Sequence, residues 1–186
     1  MCVKADGNMS GKMNDGTDFR SYIREVEDWP KKGVSFKDIT TLLKDAGLLK
    51  AAIEQMAVPF RDDDVDIVIG PESRGFIFGV PVAVELNAGF VPVRKKGKLP
   101  AETVSATYEL EYGTDTLEMH KDAIKKGQRV LLADDLLATG GTISAVTEMC
   151  ERMGAKVAGL SFMIELEFLN GRDKLKGRKI NSVVKY

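Results

Sequence analysis

Apolar residues recur along the chain in short runs separated by turns, and the first clear run is Val65–Ile69. This β-branched run ends at Gly70-Pro71, which predicts a buried strand. The apolar stretch Arg74–Leu86 predicts a helix that starts late or kinks at Pro81, because proline lacks the amide donor of a helix interior. Phe90–Val93 predicts the next strand, so strand, helix and strand are expected to form a right-handed parallel unit.

The same alternation continues towards the C-terminus. Val130–Ala133 predicts a buried strand, and Thr142–Met153 predicts a helix with its apolar residues on one face. Gly154 is the expected C-terminal cap of that helix, and Val157–Glu165 and Ile180–Val184 predict two more strands. This order of elements predicts an α/β fold, a doubly wound domain with a mostly parallel central sheet.

Other stretches have less regular patterns. Asp18–Asp28 has apolar residues at helical spacing, and a second helix is expected over Asp45–Ala57. Arg94–Thr107 predicts a polar loop. Tyr108–Tyr112 and Thr116–His120 alternate on either side of a Gly-Thr-Asp turn, which predicts an antiparallel hairpin.

Composition and charge argue against several classes of protein. The 186 residues include 27 basic and 28 acidic side chains, a balance that gives no electrostatic basis for binding nucleic acid or an anionic membrane. No apolar run is long enough for a membrane span. Residues 1–17 are polar and lack the apolar core of a secretory signal, so we expect a disordered tail before a single domain over residues 18–186. Two cysteines without metal-ligand spacing and one histidine predict neither a zinc site nor a disulfide, which favours the cytoplasm.

The strongest chemical signal is the segment from Val130 to Thr142, VLLADDLLATGGT. Its apolar strand leads to two carboxylates, Asp134 and Asp135. Small residues then turn into a helix and would form a cup for a phosphate: Ala138, Thr139, Gly140, Gly141 and Thr142. Ligands of open α/β sheets bind beyond the carboxyl ends of the strands, where a helix N-terminus offers free amide donors to an anion. Because the carboxylates would repel a phosphate, they suit ribose hydroxyls or a water-bridged magnesium ion, and the segment predicts a site for ribose 5-phosphate.

This segment resembles the donor-binding motif of the type I phosphoribosyltransferases, in the Leu-Leu-Ala-Thr-Gly-Gly-Thr form of members that use adenine. Four further stretches resemble that family's hood, pyrophosphate loop, flexible catalytic loop and following strand: Pro30–Thr40, Glu72–Gly79, Arg94–Pro100 and Glu109–Gly113. The resemblance covers residues 18–186, with the hood at about 18–43. It implies transfer of a phosphoribosyl group from 5-phosphoribosyl 1-pyrophosphate to adenine, giving AMP and pyrophosphate in purine salvage, with Mg²⁺ carried by the substrate.

The resemblance also implies roles for residues outside that segment. Pyrophosphate would be bound by Ser73, Arg74, Arg94, Lys95 and Lys98. Adenine would be bound by Ser35, Phe36, Lys37 and Leu136. The reacting centre would include Arg74, with Glu111 handling a proton near the purine N7 and Tyr112 shielding the centre. A cis peptide between Glu72 and Ser73 is implied, as is a homodimer in which the basic loop reaches the neighbouring site.

Several of these residues also have an ordinary structural interpretation. Ser73 would then cap a helix beside a surface arginine, residues 94–98 would be a solvated loop, Glu111 an outward-facing acid and Phe36 a core side chain. Two other functions stay open, namely transfer to another purine base and a non-catalytic sensor of the donor or of a nucleotide. A sensor is expected to have a partner- or DNA-binding segment and to lack the loop carboxylate, so the presence of Glu111 favours an enzyme.

Overall fold

The computed structural model describes residues 18–109 and 114–186. The chain divides into two compact units between Leu42 and Leu43. The predicted disordered tail and the predicted roles of Glu111 and Tyr112 fall outside the described residues. Within the described ranges, no helix combines the length and the apolar character needed to cross a membrane.

The first unit is built from short elements. They are a 3-10 helix (Phe19–Tyr22), strands β1 (Arg24–Val26) and β2 (Phe36–Asp38), and the start of helix α1 (Thr40–Leu43). The two strands are antiparallel, with Val26 opposite Phe36. The predicted helix over Asp18–Asp28 is wrong, because the backbone becomes extended at Ile23, with φ −100° and ψ 120°. Phe19 and Ile23 are both buried, so their helical spacing reflects two buried side chains at a turn that leads into a strand.

The second unit is a sheet with intervening helices. Its elements are α2 (Ala46–Ala57), β3 (Ile67–Pro71), α3 (Arg74–Glu85), β4 (Gly89–Lys95), β5 (Thr103–Glu109), β6 (Thr114–His120), β7 (Arg129–Leu137), α4 (Gly141–Arg152), β8 (Lys156–Glu165) and β9 (Ile180–Lys185), with 3-10 helices at Val58–Phe60, Glu167–Leu169 and Gly171–Leu175. The strand order is β5-β6-β4-β3-β7-β8-β9. Strands β4, β3, β7, β8 and β9 pair in parallel, whereas β5 and β6 are antiparallel at one edge. The predicted α/β fold with a mostly parallel sheet is confirmed.

The centre of this sheet is apolar, and three loops follow its strands at their carboxyl ends. All five residues of β3 are buried, as expected for a parallel strand covered on both faces. In the register, Ile69 of β3 lies opposite Val91 of β4 and Leu132 of β7. The loops that follow these three parallel strands therefore lie together at the carboxyl ends of the strands, where ligands of open α/β sheets bind.

Three predicted boundaries are wrong in this unit. Strand β3 continues through Gly70 to Pro71, although Gly70-Pro71 was expected to end it. Helix α3, by contrast, begins at the predicted Arg74 and contains Pro81. The predicted polar loop Arg94–Thr107 is strand at both ends, because β4 continues to Lys95 and β5 begins at Thr103. In β5, Ala106 is buried while its neighbours on either side are exposed, the alternation of a half-buried edge strand. Strand β7 continues through both acids to Leu137 rather than ending before them.

The predicted ends of two helices are confirmed by their caps. Asp45 precedes α2, and its Oδ1 accepts a hydrogen bond from the Leu48 amide at 2.9 Å. Gly154 follows α4 with a φ of +88°, and its amide donates to the Glu151 carbonyl at 2.9 Å. A left-handed residue at this position is the usual way in which a helix ends at glycine.

Candidate active site

The turn after β7 forms a concave cup at the N-terminus of α4. The cup has a volume of about 80 Å³. Its lining residues are Asp134, Leu136, Leu137, Ala138, Thr139, Gly140, Gly141, Thr142 and Ile143. The structure thus brings together the predicted phosphate residues, one of the two predicted ribose acids and Leu136.

The start of α4 has the features of an anion site. Gly140 precedes the helix with a φ of +76°, a left-handed conformation that glycine adopts without steric cost. In the part of the chain that the structure describes, no side chain caps this helix and its first turn contains no acidic residue. Its first amide groups and the positive end of its dipole are therefore available to a phosphate.

The two acids of β7 have different contacts. Asp134 lines the cup, and its Oδ1 accepts a hydrogen bond from the Asp135 amide at 2.9 Å. Asp135 is 5% exposed, and its Oδ2 lies 2.9 Å from Nε of Arg74. The sequence predicted one shared role for the pair, whereas the structure places Asp134 at the cup and joins Asp135 to the arginine of the pyrophosphate loop.

Burial and the adjacent charge of Asp135 raise the pKa of Asp134 well above the ordinary aspartate value. Burial also raises the pKa of Asp135, although the Arg74 guanidinium opposes that shift. A carboxylate with a raised pKa in a cleft is typical of a functional site, because such sites combine burial with specific charged neighbours.

Replacing Asp134 with Asn should stabilise the fold at neutral pH while weakening ribose binding. A group whose pKa is raised by folding gives its full stability below the unfolded pKa and loses it as the pH rises through the folded pKa. Ionised Asp134 therefore costs stability at neutral pH, and a neutral amide that still accepts the Asp135 hydrogen bond avoids this cost. The free energy of unfolding in urea should be higher for the variant at neutral pH and equal for both proteins at about pH 3, below the unfolded aspartate pKa. Lower stability of the variant at neutral pH would contradict this explanation.

Glu72 and Ser73 connect β3 to α3, and Arg74 and Gly75 are the first two residues of that helix. The Glu72–Ser73 peptide is cis, as the family resemblance implies. Ser73 makes no side-chain capping hydrogen bond to α3, so the helix-cap interpretation does not describe it. A Cβ on Gly75 would lie 2.7 Å from Oδ1 of Asp134, which shows that the start of α3 directly adjoins the acid of the cup.

Glu72 connects this loop to the basic turn, residues 94–98 at the end of β4. The sequence did not predict this connection. Its Oε1 accepts a hydrogen bond from the Lys95 amide at 2.6 Å, and its Oε2 lies 3.1 Å from Nη2 of Arg94. Nη1 of Arg94 donates to the Lys98 carbonyl at 3.2 Å. Burial disfavours the charge on Glu72, but the Lys95 amide and Arg94 hold its pKa below the ordinary glutamate value. Glu72 is therefore an ionised link between two segments that were assigned to pyrophosphate separately.

The basic turn is also held from β6. The Gly97 amide donates to Oε2 of Glu118 at 2.8 Å, and Glu118 is 8% exposed. Nζ of Lys95 lies 3.2 Å from Oδ2 of Asp115. These contacts fix the backbone of the turn, although the Lys95 side chain is 61% exposed to solvent.

The residues predicted to bind adenine lie in both units. In the first unit, Ser35 Oγ donates to Glu27 at 2.9 Å and Lys37 Nζ lies 2.6 Å from Glu25. The half-buried Phe36 ring meets Trp29 edge to face, with the ring centroids 4.4 Å apart. The Ser35 and Lys37 side chains are thus engaged within their own unit.

Comparison with known proteins gives a consistent family. Residues 39–180 match the model of the phosphoribosyl transferase domain. The chain is 62% identical over 167 residues to an adenine phosphoribosyltransferase of Clostridium perfringens, covering 90% of this chain and 97% of that protein.

Solved structures agree with this match. The fold is similar to the crystal structure of adenine phosphoribosyltransferase from Thermoanaerobacter pseudethanolicus, with a TM-score of 0.87, 54% identity and coverage of 90% of this chain and 98% of that one. It is also similar to the Saccharomyces cerevisiae adenine phosphoribosyltransferase complexed with an imino-altritol bisphosphate and adenine, with a TM-score of 0.84, 38% identity and coverage of 89% and 96%.

Proposed function

Because this chain belongs to the adenine phosphoribosyltransferase family, we propose that its segment Asp134–Thr142 binds the ribose 5-phosphate of the donor during transfer. The enzyme converts adenine and 5-phosphoribosyl 1-pyrophosphate to AMP and pyrophosphate. The observation that supports this assignment best is the cup of about 80 Å³ at the start of α4, with Asp134 in its wall. A phosphate there accepts hydrogen bonds from the first amides of the helix, and Asp134 accepts hydrogen bonds from the ribose hydroxyls.

The neighbouring loops suit the leaving group. Arg74 lies beside Asp134 and Asp135 at the start of α3, where its guanidinium stabilises the negative charge that develops on pyrophosphate. Asp135 orients Arg74 through the 2.9 Å ion pair. Ser73 adds donors from the same loop, and by the family resemblance Arg94, Lys95 and Lys98 would supply positive charge to the pyrophosphate of the neighbouring subunit. The protein thus contributes positioning and electrostatic stabilisation rather than a covalent intermediate.

Magnesium fits this site as an ion held mainly by the substrate. Among the residues that the structure describes, no three potential metal-ligating side chains cluster together, so those residues provide no cage. Asp134 and Asp135 would contact the ion through water, as carboxylate oxygens are ligands that suit Mg²⁺. Bound there with the donor, the ion would neutralise charge on the leaving pyrophosphate.

The adenine site and the proton transfer are proposed from the family resemblance. By that resemblance, residues 18–43 are the hood, and the base would be contacted by Ser35, Phe36, Lys37 and Leu136. Glu111 would share a proton with the purine N7, and Tyr112 would help exclude water from the reacting sugar.

We place the enzyme in the cytoplasm on its cysteine chemistry. Cys150 is fully buried in α4, and burial raises the pKa of its thiol to about 12. It therefore behaves as a small apolar side chain rather than a reactive thiol. A buried, unpaired cysteine is compatible with a reducing compartment.

A steady-state assay with three bases tests the proposed specificity. The purified enzyme, with the donor and Mg²⁺, should release pyrophosphate with adenine and far less with hypoxanthine or guanine. A chelator should abolish turnover, and added Mg²⁺ should restore it. Turnover with hypoxanthine or guanine at the adenine rate would contradict the adenine assignment, and no turnover with any base would contradict the reaction.

The homodimer is supported by an exposed apolar stripe on α3. Ile77, Val80 and Val84 are 41%, 43% and 77% exposed, and their spacing places them on one face of the helix. The same helix begins at Arg74, so a second copy docked on the stripe would lie next to the pyrophosphate loop. A basic turn from the partner would complete the site at this location. We therefore propose that a second copy of this chain docks on the apolar stripe of α3.

Replacing Val84 with Glu should convert the dimer to monomer and reduce activity with it, because a charge in an apolar interface is left without water or a partner. Sedimentation equilibrium measures the mass of the particle directly. The matched control is Val58→Glu, since Val58 is also an exposed valine, at 44%, but lies outside α3. A Val84→Glu variant that sediments like the wild type would exclude this face as the interface.

A further inference from the structure

The 3-10 helix Gly171–Leu175 packs against the phosphate cup, although it lies far from the cup segment in the sequence. A Cβ on Gly171 would lie less than 3.0 Å from the Ala138 carbonyl oxygen and 3.1 Å from the Gly140 amide nitrogen. In the other direction, a Cβ on Gly140 would lie less than 3.0 Å from the Gly171 carbonyl oxygen. The two backbones are in direct contact, with no space for a side chain between them.

An ion pair attaches this 3-10 helix to the strand ends behind the cup. Nε and Nη2 of Arg172 lie 2.6 and 2.7 Å from the two carboxylate oxygens of Glu165. Glu165 is 3% exposed and lies opposite Leu137, the last residue of β7. The Leu166 amide donates to the Leu137 carbonyl at 2.9 Å. Arg172 therefore fixes Gly171 relative to the strand from which the cup emerges.

The pair remains charged in spite of its burial. Burial opposes ionisation of Glu165, but the bidentate hydrogen bonds from Arg172 leave its pKa below the ordinary glutamate value. Glu165 in turn raises the pKa of Arg172. A planar guanidinium on a carboxylate fixes orientation as well as distance, which lysine with its single ammonium group cannot reproduce.

We propose that Gly171 and the Glu165–Arg172 pair are positioning residues that form the rear wall of the phosphate cup and set its affinity for the 5-phosphate. This inference rests on the proposed role of the cup. The wall holds Gly140 in its left-handed turn, and that turn directs the first amides of α4. Without the wall these donors have to be ordered when the ligand binds, which lowers affinity for the phosphate. The contacts of Gly171, Arg172 and Glu165 described above go to the cup and to neighbouring strands and not to Ser73–Gly75 or to residues 94–98, so pyrophosphate binding should be unaffected.

The test compares two arginines with the same kind of ion pair. Arg178 also makes a bidentate pair, with Glu151 at 2.6 and 2.9 Å, at the C-terminal end of α4. Calorimetry on the full-length enzyme should show Arg172→Lys weakening ribose 5-phosphate binding about tenfold, the effect of degrading roughly one charged hydrogen bond. Binding of inorganic pyrophosphate should not change. Arg178→Lys should leave both affinities at the wild-type value, because its pair lies at the other end of the helix.

Gly171→Ala supplies a second measurement of the wall. Its methyl group collides with the cup itself, so the loss of ribose 5-phosphate affinity should exceed that of Arg172→Lys, by roughly another tenfold. If Gly171→Ala does not fold, Arg172→Lys decides alone. Equal losses of both ligands, or equal effects of Arg172→Lys and Arg178→Lys, would overturn the inference. Failure of the wild type to bind ribose 5-phosphate would instead overturn the proposed role of the cup.

Discussion

Replacing Gly140 with alanine is expected to lower kcat/KM for the phosphoribosyl donor by roughly 100-fold or more. Two physical effects add. Alanine in the left-handed conformation, where Gly140 has a φ of +76°, costs roughly 1–2 kcal/mol. The new methyl group would also lie less than 3.0 Å from the Gly171 carbonyl, so the turn must move. Displacing one amide from a phosphate loses a charged hydrogen bond worth about 1.5–3 kcal/mol.

The control for this variant is Gly177→Ala. Gly177 has nearly the same backbone conformation, with a φ of +78°, but nothing lies within 4 Å of the position of its Cβ. It is not among the residues that line the cup. Both variants should therefore lose stability through the strained backbone, measured by urea unfolding, and Gly140→Ala should lose more because its methyl group also meets the Gly171 carbonyl. Donor kinetics should change in Gly140→Ala alone. A folded Gly140→Ala enzyme with wild-type kcat/KM would show that the cup does not bind the donor phosphate.

Replacing Glu111 with leucine is expected to reduce kcat by roughly 10²–10⁴-fold, the range for loss of a general acid or base. Affinity for AMP should change by less than about fivefold, because the proton is shared most strongly in the transition state. Single-turnover kinetics give the chemical rate, and calorimetry gives the AMP affinity. Equal losses in both quantities would indicate that Glu111 contributes to binding rather than to chemistry.

Glu102→Leu is a suitable control for Glu111→Leu. Glu102 precedes β5, its side chain is 83% exposed, and it pairs with Lys121 at 3.3 Å. An exposed pair of this kind contributes little to stability. The same substitution at Glu102 should therefore leave both the chemical rate and the AMP affinity at their wild-type values.

The phosphate cup was predictable because its parts are contiguous. A strand, a turn of small residues and a helix N-terminus form a local anion site, and all three parts lie within Val130–Thr142. The parallel strands were likewise predictable from apolar runs such as the one that contains β3, since burial on both faces leaves a direct pattern in the sequence. Local geometry and local composition agree in these segments.

The contacts that organise the site were not predictable, since they depend on sheet order. Glu72 meets Arg94 across 22 positions because β3 and β4 are neighbours, and the Arg74–Asp135 pair forms because β3 also adjoins β7. A Glu or Asp in the sequence gives no sign of which distant cation it will pair with. The sequence around Gly171 likewise gives no signal. Only glycine fits there because the backbone of Ala138 and Gly140, which is distant in the sequence, leaves no room for a Cβ.

The helix predicted at Asp18–Asp28 failed for a different reason. Apolar residues three or four positions apart occur on a helix face, but a turn followed by a strand buries the same two side chains, as Phe19 and Ile23 show. Over a segment this short, periodicity does not separate the two structures. Strand β5 was not predicted because the basic residues before Thr103 indicated a loop. The alternation of its buried and exposed residues is clear only once its pairing with β6 is known.

The most direct test of the central claim is a crystal structure of the enzyme with AMP bound. The 5′-phosphate is predicted to lie in the cup, within hydrogen-bonding distance of the amides of Gly140 to Thr142, with the ribose hydroxyls on Asp134. The Arg74 loop is predicted to make no contact with that phosphate, because it is assigned to pyrophosphate. A 5′-phosphate bound at Ser73–Gly75, or anywhere outside the turn after β7, would contradict the assignment of this segment.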